Sequence, residues 1–437
     1  MPSSDRLRVL LLAEAANPEW VSVPLVGWCH ARALAELTDA HLVTQVRNRE
    51  AIERTGWTEG REFTAIDSES FSRPLWKLSG LLRGGAGKGW TMVTAIETLA
   101  YYHYERLVWR RFGARIRAGE FDIVHRITPL SPTTPSTIAA RCARAGVPFV
   151  VGPLNGGVPW PRAFDAARRA EREWLSYVRD AYKLLPGYAS TRRHAAAILV
   201  GSQDTLAQMD ARWRSKCHHL PENAVDPTRF SARRTRTSSK PIRCVFVGRL
   251  VPYKGADMLL EAAAPLVRAG ELRVQILGDG PQRAELEALI AREQIGAGIE
   301  FAGWVDHQRV QDHLAESDLL VLPSIREFGG GVVLEAMAVG LPAAVVAYGG
   351  PRELVTEETG FLIELGPRAQ IVAQFRALFE RLVADPRLIE SRVAPAREHV
   401  EQHFTWAAKA RKVVELYRTI VAERAAGEAA RRTTASR

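Results

Sequence analysis

Two glutamates, Glu327 and Glu335, stand with seven residues between them in PSIREFGGGVVLEAMAVGLP, from Pro323 to Pro342. The stretch follows the apolar run LLVLP, and Gly329, Gly330 and Gly331 lead into a helical pattern. Consecutive glycines let backbone N–H groups approach a ligand closely, and the helix N-terminus beyond them favours an anion. One carboxylate can meet such a ligand at the loop while the other reaches it from the first helical turns. Carboxylates so placed accept hydrogen bonds from neutral hydroxyls, as on a sugar ring or a ribose. A glycine-rich strand-to-helix turn with surface glutamates is the alternative reading of the pair alone.

A second set of charges lies in VFVGRLVPYKGADMLLEA, from Val245 to Ala262, where a strand ends at Gly248 and Arg249 and Lys254 follow. Two cations at that place can neutralise a diphosphate and the charge that grows on it as a glycosidic bond breaks. Solvated surface is their alternative. GPLNGGVPWP, from Gly152 to Pro161, is another glycine turn after a strand. Its Asn155, Gly156 and Gly157 are candidates to approach a ligand from the first half of the chain, or form a plain turn.

Short apolar runs alternate with amphipathic stretches throughout, the pattern of an α/β chain with parallel sheets. In the first half the expected strands are Leu7 to Ala13, His41 to Val46, Phe121 to Ile127, Pro148 to Leu154 and Ala196 to Ser202. The segment Leu78 to Arg117 opens on the basic turn LLRGGAGKGW and becomes a long helix rich in aromatics and arginine. Such a helix can lie on a membrane surface or face a core with snorkelling arginines. Residues 221 to 241 are polar, proline-bearing and basic, and read as a linker. A second series follows: IRCVFVGRL, LRVQILGDG, IEFAGWV, DLLVLPS, PAAVVAY and TGFLIEL, with helices between. Two such units joined by a linker offer a cleft between the carboxyl ends of two sheets, where open parallel sheets bind ligands.

The 437 residues suffice for two or three domains, and 46% hydrophobic with 25% charged residues is an ordinary globular balance. About 30 basic against about 22 acidic side chains in the first 225 residues put about +8 of the net charge of +10 there. No zinc-ligand, RNP or helix-turn-helix pattern accompanies that charge, so nucleic acid is not an expected partner. No apolar run reaches the roughly 18 residues of a membrane span. The apolar stretch Val9 to Ala13 is too short for a secretory signal and reads as a buried first strand. Cys29, Cys142, Cys217 and Cys244 are scattered without metal spacing, as for reduced thiols in a cytoplasmic protein.

EFGGGVVLE resembles the E-x7-E signature of the retaining GT-B glycosyltransferases of family 4, the glycosyl transferases group 1 type. The resemblance spans most of Pro241 to Leu365 and, more weakly, the first half. It implies that Glu327 and the backbone of Phe328, Gly329 and Gly330 hold the donor sugar's hydroxyls, with Gly331 beside them, and that Glu335 holds the ribose. GRL–PYKG is similar to the segment whose Arg and Lys meet the diphosphate, here Arg249 and Lys254. LGDGPQRAELEAL, with Gly278, resembles the family's next glycine–proline turn. FAGWV, with Gly303 and Val305, resembles the loop whose backbone contacts the nucleobase. Where members often carry a guanine-reading aspartate this chain has His307, which leans toward UDP over GDP. AYGGPRELVTEETGFLI places Gly349 and Gly350 near the donor in family style.

The first half departs from the pattern. FDIVHRITPLSP resembles a strand end reading D-x-V-H-x-H, with His125 on the first histidine and Ile127 on the second. His125 is thus either a catalytic candidate or a satisfied core residue. The first loop keeps only Gly27 of a double glycine, and its Trp20 and Trp28 suggest a more aromatic acceptor pocket or ordinary packing. LPENAVDPTRF resembles the hinge into the second lobe, with Ala224 for glycine, and FTWAAKARKVVELY the C-terminal helix that crosses back to the first.

The expected fold is therefore α/β of GT-B type, two Rossmann-like doubly wound domains facing across a cleft. The acceptor-side domain is 1–222, with a helix at about 404–425 packing back on it; the donor domain is 223–403, and 426–437 is a disordered tail. The expected activity is retaining transfer from a UDP-sugar, such as UDP-glucose or UDP-GlcNAc, to an acceptor hydroxyl in glycoconjugate or polysaccharide synthesis. No cofactor or metal is implied, because no carboxylate-rich or His/Cys site flanks the diphosphate region. The rivals are a sugar-nucleotide epimerase of the same architecture, a phosphorylase and a non-catalytic sugar-nucleotide-binding protein. A monomer or homodimer in the cytoplasm, with peripheral contact at the inner membrane face, completes the expectation.

Overall fold

The computed structural model describes residues 6–71, 90–164 and 181–435. These fall into two compact units, one of residues 6–71, 90–156, 181–222 and 409–435, the other of 157–164 and 223–408. The turn at Asn155–Gly157 is divided between them, so Val158 to Phe164 belong to the second unit and not, as the linker position suggests, to the first. The reason is packing: Phe164 joins the second unit's core, and the Tyr348 hydroxyl donates to the carbonyl of Pro159 at 2.8 Å.

The first unit carries seven strands: β1 (Arg8–Ala13), β2 (Asp39–Gln45), β3 (Phe63–Ile66), β4 (Ile123–Thr128), β5 (Phe149–Leu154), β6 (Ala197–Val200) and β7 (Cys217–His219). They pair in parallel in the order β3-β2-β1-β4-β5-β6-β7. All residues of β4 and β5 are buried, as strands covered on both faces must be. The edge strands β3 and β7 were not legible in the sequence, being only four and three residues long.

The second unit has six parallel strands, all at the apolar runs expected: β8 (Ile242–Val247), β9 (Leu272–Leu277), β10 (Ile299–Gly303), β11 (Leu319–Leu322), β12 (Ala343–Val346) and β13 (Gly360–Ile363). Their order is β10-β9-β8-β11-β12-β13. In both sheets the winding reverses next to the first strand, between β1 and β4 and between β8 and β11. A crevice opens at the carboxyl ends of such strands, where ligands of doubly wound sheets sit.

The long helix Trp90–Arg117 follows the core-facing reading. Tyr101, Tyr104, Val108, Phe112 and Ile116 form a buried stripe at helical spacing, and the Tyr104 hydroxyl donates to Val43 O at 3.0 Å. Its arginines cover aromatic faces, Arg115 over Phe121 at 5.1 Å and Arg117 over Trp109 at 5.7 Å. The glycine-rich turn before it lies outside the described residues. No described helix is long and apolar enough to cross a membrane.

The linker is nailed down rather than loose. Arg234 is buried against Asp318 (3.0 Å) and Glu390 (2.9 Å), and Arg236 also meets Asp318 (3.1 Å). The last helix, Trp406–Ala435, continues through Ala435, past the expected start of an irregular tail at 426. Its end is rich in alanine, the strongest helix former, and Arg424 pairs with Glu428 one turn on.

Candidate functional site

The loops after β8 and β11, on either side of the reversal, are tied together. Ile325 N and Ser324 Oγ both donate to the carbonyl of Tyr253, at 3.0 and 3.1 Å. This brings Lys254 to Glu327, and the ammonium donates to Oε2 of the carboxylate in a largely buried ion pair. Arg249, five residues earlier, is exposed and has no ion-pair partner among the described residues. The two cations singled out in the sequence are thus unlike: one holds a carboxylate, the other is solvent-exposed.

Beyond Glu327 the chain passes Phe328 and Gly329 to Gly330, which at φ 56° caps the helix Gly331–Val339. That left-handed conformation is one that residues with a side chain adopt at a cost, and the first amides of a helix have no partner within the helix itself. The loop is backed by Gly350, whose N–H donates to Glu327 O at 2.9 Å, with Gly349 beside it. Asn223, from the start of the linker, packs against Gly329. Glu335 sits on the second turn of the helix and pairs with His307, Nε2 to Oε1 at 2.8 Å.

Gly248, Gly278 and Gly303 close the carboxyl ends of β8, β9 and β10, where Gly278 N donates to Gly303 O at 2.7 Å. Val305 follows, half-buried against the core, while Trp304 is exposed. Every candidate donor residue therefore lies along the carboxyl edge of one sheet. Sequence reasoning missed Arg229, bonded to His307, and Trp160, which lies under Arg326 at 5.0 Å and edge-on to Tyr253. Both stand inside segments the sequence singled out, GPLNGGVPWP and LPENAVDPTRF, but their own side chains carried no signal there. Among the described residues no His, Cys, Asp and Glu side chains group as metal ligands.

The first-unit candidates do not form one site. Trp28 is buried against Trp57 (4.9 Å), on the helix Val23–Leu37 and not in a loop, so its ring is core. Trp20 is 46% exposed and keeps a free face. Gly27 serves close packing: a Cβ there would stand 2.1 Å from the carbonyl oxygen of Ala15. Asn155 donates to Glu222, and Gly156 N to Thr205 Oγ1 at 2.9 Å; Gly157 belongs to the second unit. His125 is fully buried, and both ring nitrogens are used, toward Gly152 O (2.8 Å) and the Tyr417 hydroxyl (2.5 Å). Burial pushes its pKa down to about 4, with the Gly152 carbonyl raising and Arg126 further lowering it. Ile127 is likewise wholly buried.

What the first unit does offer is a cavity of about 480 Å³ at its own reversal, beside the carboxyl ends of β1 and β4. Glu14 and Arg47 pair on its wall, Tyr101 and Tyr104 supply aromatic faces, and Ser131 and Asn155 add polar groups. Burial raises the Glu14 carboxyl above the usual range, against the lowering pull of Arg47. Of these residues the sequence had pointed only to Asn155, because the wall is gathered from seven separate segments.

Comparison with solved structures places this geometry. HepE of Anabaena, solved in complex with UDP, superposes with a TM-score of 0.59 over 94% of this chain and 100% of its own, at 16% identity. The fold is GT-B. At that identity the likeness is one of fold, and it agrees with the doubly wound architecture expected. Residues 228–392 match the family model of glycosyl transferases group 1. The putative colanic acid biosynthesis glycosyltransferase WcaL of Salmonella typhimurium is 34% identical over 45% of this chain and 50% of its own. The 2-deoxystreptamine glucosyltransferase of Streptomyces kanamyceticus is 31% identical over 36% and 41%. The chain thus spans half or less of the length of these two relatives.

Proposed function

We propose that the chain is a retaining glycosyltransferase that moves a sugar from a UDP-sugar to an acceptor hydroxyl. The observation that carries the reading is the Lys254–Glu327 pair at the reversal of the second sheet, within the segment that matches glycosyl transferases group 1. In this reading Glu327 and the amides of Phe328, Gly329 and Gly330 receive the sugar, Glu335 the ribose, and Arg249 and Lys254 the diphosphate. The bond from the anomeric carbon to the diphosphate breaks and one to the acceptor oxygen forms on the same face. The acceptor's proton leaves with the nucleotide product. Fixed cations at the departing oxygen are worth most in a dry site, where they need no reorganisation. They also make a metal ion unnecessary. UDP is favoured by His307 standing where a guanine-reading aspartate is common. The cavity beside Glu14 takes the acceptor, and His125 acts as a core group.

Thermal-shift screening against UDP-, GDP- and ADP-sugars identifies the donor, and incubation with an acceptor panel follows, the product's anomeric configuration being read by NMR. A new glycoside with the donor's configuration, formed at the same rate in EDTA, is the expected result. An epimer of the donor sugar would make the protein an epimerase, and binding without turnover a binding module. An inverted product would sink retention alone.

A further inference from the structure

We propose that His307 is a positioning residue that orients Glu335 for the ribose of a bound nucleotide, an inference that rests on Glu335 being the ribose-holding group. The chain of contacts is Arg229 Nη2 to His307 Nδ1 at 3.2 Å and His307 Nε2 to Glu335 Oε1 at 2.8 Å. A guanidinium has donors and no acceptor, so Nδ1 of His307 must accept. The ring proton then sits on Nε2 and is donated to the carboxylate. Arg229 therefore selects the tautomer in which His307 serves Glu335.

The ring has little freedom to do anything else. Phe230, next to Arg229 in the chain, packs edge-on to it at 5.4 Å and 73°. Both residues come from the linker, so the segment that leads into the second unit holds the base loop in register with the helix Gly331–Val339. Glu335 makes no other side-chain hydrogen bond among the described residues, and its side chain is 17% exposed. With Oε1 engaged, Oε2 and one remaining lone pair of Oε1 stay available to a diol. A glutamate left to itself would have to be ordered when the nucleotide binds, and that loss of freedom weakens binding.

The test is calorimetric titration of the full chain with UDP and GDP and with their 2′-deoxy counterparts. We expect the ribonucleotide to bind several-fold tighter than its deoxy form. His307→Phe should weaken the ribonucleotide about three- to tenfold and bring the ratio toward one. His307→Gln, which keeps a donor near the Nε2 position, should restore most of the ratio, and Arg229→Gln should lose part of it. If Glu335→Ala abolishes the ratio while His307→Phe keeps it, the ribose reading stands and the positioning role falls. If Glu335→Ala keeps the ratio, or neither ribonucleotide binds, the ribose reading falls and the inference with it. A ratio lost equally in the Phe and Gln variants would overturn donation from Nε2 as the contact that orients Glu335.

Discussion

The hydroxyl of Tyr417 donates to Nδ1 of His125 at 2.5 Å, joining two residues 292 positions apart in the chain. Because Gly152 O can only accept, Nε2 carries the ring proton, and the pair locks His125 in one neutral tautomer. The last helix is thereby fastened to the central strand β4 of the first sheet. The histidine that resembles a catalytic one by position serves as its anchor.

That anchor makes the first unit acid-sensitive. His125 is held neutral, with its pKa lowered from 6.5 to about 4 mainly by burial, so the stability it contributes is complete above pH 6.5 and is lost as the pH falls toward 4. His30, edge-on to it at 5.8 Å and pushed down by the same burial, acts in the same sense. Urea unfolding across that window should show stability falling by about 1 kcal/mol per pH unit. In His125→Gln the slope should be clearly shallower. An unchanged slope would remove His125 from the account.

Arg249 is exposed and has no ion-pair partner among the described residues, so its loss should affect the reaction and spare the fold. Arg249→Ala should lower transfer by about 10²–10³ in rate with an unchanged melting temperature. Lys254→Ala should lose similarly in rate and also in stability, since it leaves the largely buried Glu327 without its counter-ion. Steady-state rates paired with melting curves separate the two, and an Arg249→Ala enzyme within threefold of wild type would refute the diphosphate assignment.

If the cavity beside Glu14 takes the acceptor, as proposed, that carboxylate should govern acceptor binding. Glu14→Gln should raise the acceptor KM while leaving donor affinity unaltered. Because burial raises the carboxyl's pKa, the wild-type acceptor KM should begin to climb on acidification at a pH above the ordinary carboxylate range, and the variant's should stay flat. A change in donor affinity instead would place the cavity's role elsewhere.

The linker's arginines carry a stability prediction. Removing one partner from a buried ion pair leaves the other charge uncompensated, typically at about 3–5 kcal/mol. Arg236 still reaches Asp318, so Arg234→Ala should cost about 3 kcal/mol in chemical denaturation. Arg233→Ala, on an exposed neighbour, should cost less than about 0.5 kcal/mol. Equal effects would return the segment to a solvated linker.

By itself the sequence determined the second sheet and its ligand-facing loops. Each of β8 to β13 is an apolar run, and β8 to β10 end at the glycines Gly248, Gly278 and Gly303. The glycine turn and the capped helix are local features too, set by a few consecutive residues. Tertiary structure alone decided which side chains meet. Lys254 reaches Glu327 across 73 residues, His307 takes Glu335, and Trp28, His125 and Arg234 turn inward. The physical reason is that composition fixes what a residue can do, while the strand order of a parallel sheet fixes what it faces. A histidine, an arginine or a tryptophan reads alike in the sequence whether it ends in a core or beside a ligand.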